Sequence, residues 1–243
     1  MKQLNLSFLI GVSFIIFFAL ISMNCISIPD NVASLIPDKK QGLDEETIIA
    51  GLKEALEIGT KKAVEIVSKT DGYLKNSAIY IPLPEELNDF ANTLRKIGMK
   101  KDVDRFINDM NHAAEKAATG AADIFVDAIK KMTLQDARKI LQGADNAATV
   151  YFEKNTRNKL YDVFYPVVKS AMDKVGLTKL FKFLLDAYNR IPGMKKINFE
   201  LNKYITDKGL DGLFLMLAKE EKKIRDDPAA RVTDLLKKVF GSL

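Results

Sequence analysis

Residues 101–132 read KDVDRFINDMNHAAEKAATGAADIFVDAIKKM, and their spacing decides the fold. Val103, Phe106, Ile107, Met110, Ala113, Ala114, Ala117, Ala121, Phe125, Ala128 and Ile129 recur at i, i+3 and i+4. That repeat collects apolar side chains on one stripe of an α-helix, so a single long helix is predicted over the whole stretch. Its alanines let a neighbouring helix approach closely, which makes the stripe a packing surface and not a cofactor groove. Asn111, Glu115 and Thr119 recur every four residues, with Asp123 and Asp127 continuing the row. Carboxylates on a bundle helix can bind two metals, but that design draws Glu-x-x-His pairs from facing helices. None occurs here, and the row is expected to be a solvated face.

The helical pattern continues on both sides. Upstream, Asp44 is a plausible N-cap, with Glu45 and Glu46 placed to favour the positive end of the helix dipole. Ile48, Leu52, Ala55, Leu56, Ala63, Ile66 and Val67 then follow at helical spacing until Asp71-Gly72. The stretch from Asn76 to Pro84 is the only extended-looking segment, and Pro84 suits the first position of a new helix. Downstream, Thr133 can cap a helix through Leu141, and another begins near Asp145 or Asn146 and runs to Met172 with Pro166 as a possible kink. Leu177 to Tyr188 is apolar enough to predict a central helix. A basic loop around Pro192-Gly193-Met194-Lys195-Lys196 precedes a helix near Phe199–Asp207, followed by one over Leu213–Arg225. Asp227-Pro228 opens the last, with Asp as N-cap and Pro at N1. Strand-type alternation is nearly absent. The expected fold is all-α, a single helical bundle of about seven to nine helices.

Composition excludes several function classes. Of 243 residues, 47% are hydrophobic and 28% charged, ordinary for a globular domain and unlike a disordered chain. The net charge of +5 comes mainly from Lys, and Lys and Glu interleave, as in Lys219-Glu220-Glu221-Lys222-Lys223. Mixed signs on one face read as solvated surface and argue against nucleic acid as a partner. With one Cys and one His, neither an intramolecular disulfide nor a Cys/His zinc site can be assembled. A carboxylate calcium or magnesium site stays open in principle, but no loop is spaced like an EF-hand and no Gly-x-Ser-x-Gly elbow occurs, so the expectation is no metal and no cofactor.

Residues 1–24 have a positive start, an apolar core from Phe8 to Ile21 and polar residues before Cys25. This describes a secretory signal of lipoprotein type. The apolar run is shorter than the roughly 20 residues that span a bilayer, and an uncleaved anchor is the alternative. Cys25 sits where a diacylglycerol would attach. Ser22 and Asn24 depart from the Leu and the small residue that the usual lipobox prefers three places and one place before the cysteine. An incidental leader cysteine is the competing reading. Residues 25–42, with Pro29, Pro37 and Gly42, read as a tether, and 43–243 as the all-helical domain.

Several blocks resemble one known family. They are Gly51-Leu52-Lys53-Glu54-Ala55-Leu56, Ile81-Pro82-Leu83-Pro84, Met110-Asn111-His112-Ala113-Ala114-Glu115-Lys116-Ala117-Ala118 and Ala147-Ala148-Thr149-Val150-Tyr151-Phe152. Glu220-Glu221-Lys222-Lys223-Ile224-Arg225 and Pro228-Ala229-Ala230-Arg231-Val232-Thr233 complete the set. In this order they resemble the bacterial family of the domain of unknown function DUF4197, over nearly everything from Gly51 to Gly241. The resemblance implies an exported helical protein of envelope-bearing bacteria and implies no activity. His112 departs from the family pattern, which more often has Arg there, so no family role is carried onto it.

The densest charged cluster lies near the C-terminus: Glu220, Glu221, Arg225, Asp227 and Arg231. Glu221 and Arg225, four apart, face each other on one helix, and Arg231 could fold back onto Glu220 or Asp227. The set reads as a clasp fixing the last helices. An active-site reading would make a Glu the general base and an Arg the anion holder. The final helix, Thr233–Phe240, is amphipathic and basic, and it either docks on its own domain or lies on anionic lipid. The expected function is a non-enzymatic cell-envelope lipoprotein, held to the membrane by its acyl anchor. Its bundle would bind an envelope protein or an apolar ligand, through a cavity or apolar patch beside Phe181–Leu185. A hydrolase using the C-terminal Glu and Arg residues, or a structural spacer or chaperone-like component, are the alternatives.

Overall fold

Helix α1 (Glu45–Ser68) starts where Asp44 accepts a hydrogen bond from the Thr47 amide at 2.8 Å, a side-chain cap on an otherwise unpaired donor. The computed structural model describes residues 44–241 apart from 175 and 195; the expected signal over 1–24, the expected tether over 25–42 and Cys25 lie outside the described residues. After α1 come α2 (Asn88–Lys96), α3 (Lys100–Ala118), α4 (Ala121–Lys131), α5 (Leu134–Leu141) and α6 (Ala147–Lys174). They are followed by α7 (Leu177–Asn189), α8 (Leu201–Asp226) and α9 (Asp234–Phe240). Nine α-helices and no strand are found among the described residues, so the fold is an all-α bundle.

Four expectations about element boundaries are corrected. The 101–132 stretch is two helices, because Gly120 is a poor helix former and the Thr119 hydroxyl turns back to the Lys116 carbonyl at 2.9 Å. Conversely, the two helices expected around 199–225 are one, α8. Gly209 and Gly212 lie in its middle and weaken it locally, but both are buried against neighbours, and packing outweighs intrinsic propensity. Asp227-Pro228 opens only a 3₁₀ turn over Pro228–Ala230, and α9 is capped instead by Thr233, whose hydroxyl accepts from the Leu236 amide. Finally, α7 is not central. Only Leu177, Leu184 and Tyr188 are buried on it, while Phe183 is 55% exposed.

The centre belongs to α8, which packs against α1, α3 and α6. Two aromatic groups fill the bundle, one of which includes Phe214 of α8. Phe125 of α4 makes edge contacts with Phe152 of α6 and Phe214 of α8, at centroid separations of 5.6 and 5.9 Å. Phe106 of α3 stacks on Phe181 of α7 at 5.3 Å, and Phe90 of α2 meets Tyr188 of α7 at 5.4 Å. Edge and offset arrangements of this kind add to plain area burial. Helix α9 buries Leu236, Val239 and Phe240 and packs against α1, so its apolar face is turned toward its own domain.

Candidate functional site

The first amides of any helix, those of α6 included, lack intrahelical partners. Glu221 of α8 supplies them. Its Oε1 accepts from the Ala148 amide at 2.9 Å, and its Oε2 accepts from both the amide and the hydroxyl of Thr149, each at 2.9 Å. A carboxylate at the positive end of a helix is electrostatically favoured. Arg225, one turn along α8, donates Nε and Nη2 to the same Oε1 at 3.2 and 2.9 Å. Its Nη2 also donates to the Ile140 carbonyl at the end of α5, at 2.8 Å. The two side chains are 5% and 13% exposed. One buried ion pair thus joins the end of α5, the start of α6 and the last turns of α8.

The remaining members of the predicted cluster lie around this pair. Glu220 is buried and held by Lys223 at 2.6 Å and by Lys62 of α1 at 3.5 Å. Arg231 reaches neither Glu220 nor Asp227, contrary to the expectation. Its Nε and Nη2 donate to the carbonyls of Ile224 and Arg225, at 3.1 and 2.7 Å, because the closing turn of α8 leaves those acceptors unpaired. Asp227 accepts from the Ala229 amide at 2.9 Å and caps the 3₁₀ turn. Nearby, Lys222 bridges Asp145 and Asp226 at 2.6 and 2.8 Å. Hydrogen bonds to both carboxylates hold its amine above the ordinary lysine range.

A second buried node was misread from the sequence. Asn111 and Glu115, expected on a solvated face, are 0% and 4% exposed. Asn111 accepts from the Ile81 amide at 2.8 Å and donates to the Ile81 carbonyl at 3.0 Å, pairing both backbone groups of an extended residue as a neighbouring strand would. Glu115 accepts from the amides of Tyr73 and Leu74 at 3.1 and 3.2 Å, and its other oxygen meets His112 Nδ1 at 2.8 Å. The Tyr73 hydroxyl donates to the Gly209 carbonyl. Burial, with the Glu115 charge beside it, pushes that phenol far above its ordinary range. The sequence signal was partial: Ile107, Met110, Ala114 and Ala118 adjoin Asn111 and Glu115 on one side of the helix, while His112, Lys116 and Thr119 lie on the other.

These carboxylates do structural work that leaves little for chemistry. Every oxygen of Glu221 already accepts hydrogen bonds, so no lone pair faces a void where a substrate proton would sit. The apolar pocket beside it, between Leu52, Leu56, Leu217, Ile224 and Phe240, holds about 20 Å³, the room of roughly one water. A larger groove of about 560 Å³ between α4 and α6 is open and of mixed character, lined by Asp123, Ile124, Asp127, Ala128, Lys131, Tyr151 and Lys159. Among the described residues no group of three or more His, Cys, Asp or Glu could hold a metal ion. Nor is any helix among them long and apolar enough to cross a membrane.

No curated protein and no solved structure matches the chain. Residues 42–241 match the family described as "Protein of unknown function (DUF4197)", a span that takes in all nine helices and both buried nodes. The chain belongs to this family.

Proposed function

We propose that the protein is a non-enzymatic lipoprotein of the cell envelope, exported by residues 1–24, acylated at Cys25, and carrying a rigid helical domain that binds a partner protein. One observation supports it above others: the buried ionisable side chains Glu115, Glu220 and Glu221 are each bonded to helix ends, loop amides or neighbouring cations. They stiffen the bundle and leave its surface as the part able to act. The alternative occupant, an apolar ligand, finds only about 20 Å³ in the apolar pocket against the roughly 300 Å³ that small-molecule sites begin at. A hydrolase would need Glu221 as base, and its oxygens are already engaged.

The test is the native intact mass of the protein expressed with its own leader and extracted in mild detergent. The expected mass starts at residue 25, carries covalent acyl groups, and includes a protein adduct that dissociates on activation. A mass with neither acyl chains nor adduct would overturn both the anchor and the partner. A small apolar adduct in place of a protein would restore the ligand reading.

A further inference from the structure

One stretch of the sequence carries a marked surplus of positive charge. Between Val167 and Asn198 there are seven Lys and Arg residues and two Asp, a surplus of five, and the net charge of the entire chain is +5. Outside that stretch some cations are paired at short range and others are not. Lys75 pairs with Asp71, Lys131 with Asp127, Arg157 with Glu153 and Asp211, Lys203 with Asp207, and Lys222 with Asp145 and Asp226. Lys179 and Lys182 of α7 and Arg190, at the end of that helix, are exposed, and none makes an ion pair within the described residues.

The helical repeat places these groups together. At 3.6 residues per turn, positions 179, 182, 183, 186 and 190 fall within roughly a 100° arc, opposite the buried Leu177, Leu184 and Tyr188. Two cations, the terminal Arg190 and the 55% exposed ring of Phe183 therefore share one outer stripe, broken by the single acid Asp186. Met194, 43% exposed, and Lys196 follow in the loop beyond.

We infer that this stripe of α7 is a docking face for an anionic lipid surface. The charge complements such a surface: a negative leaflet attracts clustered lysines within about a Debye length. The apolar component fits as well. An interfacial helix buries an aromatic side chain at the level of the headgroups while neighbouring lysines extend their amines outward along flexible stems. Phe183, between Lys179 and Lys182 on one side and Asp186 on the other, has that setting. A nucleic acid is less suited, since phosphate recognition favours the planar fork of Arg and the stripe offers only Arg190. The inference does not rest on acylation at Cys25, because it concerns a contact made by the folded domain.

The chain contains no Trp, so Phe183→Trp installs a single reporter. Full-length F183W is purified with its leader, delivered from detergent, and mixed with vesicles of phosphatidylcholine, with or without phosphatidylglycerol. The expected result is a blue shift in emission, and quenching by brominated acyl chains, on the phosphatidylglycerol vesicles only. High salt should reverse both, and adding K179E and K182E should abolish them with the helical circular dichroism unchanged. Val232→Trp, on the connection between α8 and α9, should not respond. The inference is overturned if F183W stays unshifted on anionic vesicles, if it shifts equally on neutral ones, or if V232W responds to the same extent. A response to polyglutamate or duplex DNA without one to lipid overturns it in favour of an acidic macromolecule. The mass measured at Cys25 decides the anchor separately, so either reading can fail while the other stands.

Discussion

A Cβ on Gly212 would stand 2.6 Å from Cε1 of Tyr73 and 3.1 Å from Cβ of Ile79. The middle of α8 therefore accepts the loop between α1 and α2 only because residue 212 has no side chain. At Gly209, one turn earlier, the nearest atom to such a Cβ is Ala114 Cβ at 3.5 Å, an ordinary contact.

The two glycines should thus respond in opposite ways to the same change. Gly209→Ala gains helix propensity of up to about 1 kcal/mol without a clash. Gly212→Ala makes the same gain but must displace a fully buried ring, and overpacking of that kind costs about 1 to 3 kcal/mol. Urea unfolding should show G209A at or above wild-type stability and G212A below it. Equal midpoints would mean that Tyr73 and Ile79 shift freely.

Asn111 gives a sharper local prediction. Asn111→Ala leaves the amide and carbonyl of Ile81 buried without their partner, a loss of about 2 kcal/mol or more. Hydrogen exchange should find the Ile81 amide protected in the wild type and fast in N111A, while amides in α5 keep their rates. If α5 loosens equally, the effect is global unfolding and not release of the segment.

Cutting the Glu221–Arg225 pair should cost more than either residue's exposure suggests. Removing one partner of a buried pair leaves an uncompensated charge, about 3 kcal/mol, and Glu221→Gln also weakens the cap on α6. Arg225→Met leaves the carboxylate still bonded to Ala148 and Thr149, so its cost should be smaller. The double variant should be less unstable than the sum of the singles, by at least about 1 kcal/mol of coupling. Strict additivity would show that the two side chains act separately.

How much of this was legible follows from what each signal depends on. The bundle was readable because amphipathic spacing is local: Val103, Phe106, Met110, Ala114 and Ala117 announce α3 without reference to anything else. Caps at Asp44 and Thr133 were readable for the same reason. The role of Asn111 was not, since its partner is the backbone of Ile81, thirty positions away, and a polar residue carries no mark of which distant carbonyl it meets. Glu221 was picked out through its neighbour Arg225. Its service to Ala148 and Thr149 depends on how α8 crosses the start of α6. Continuity of α8 through two glycines likewise depended on what packs against them.

The capping box at α5 gives a pH dependence whose sign can be worked out. The Thr133 hydroxyl and amide donate to the Asp136 carboxylate at 2.7 and 3.1 Å, and the Asp136 amide donates back to the Thr133 hydroxyl at 3.1 Å. These bonds, the hydroxyl's first, hold the Asp136 carboxyl below the usual carboxylate range. The folded protein then takes up a proton at lower pH than the unfolded chain, in which Asp titrates near about 3.9. Stability from this group is complete above that value, declines as pH falls through the depressed folded value, and is absent once both states are protonated. The box is solvent-exposed, so its contribution is small, below about 1 kcal/mol after screening. Asp136→Ala should lower the thermal midpoint by a constant amount from pH 5 to pH 7 and converge on the wild type as pH drops from about 4 to 2. A gap that stays the same at pH 2 would mean that the cap works through shape alone, with no part for the carboxylate charge.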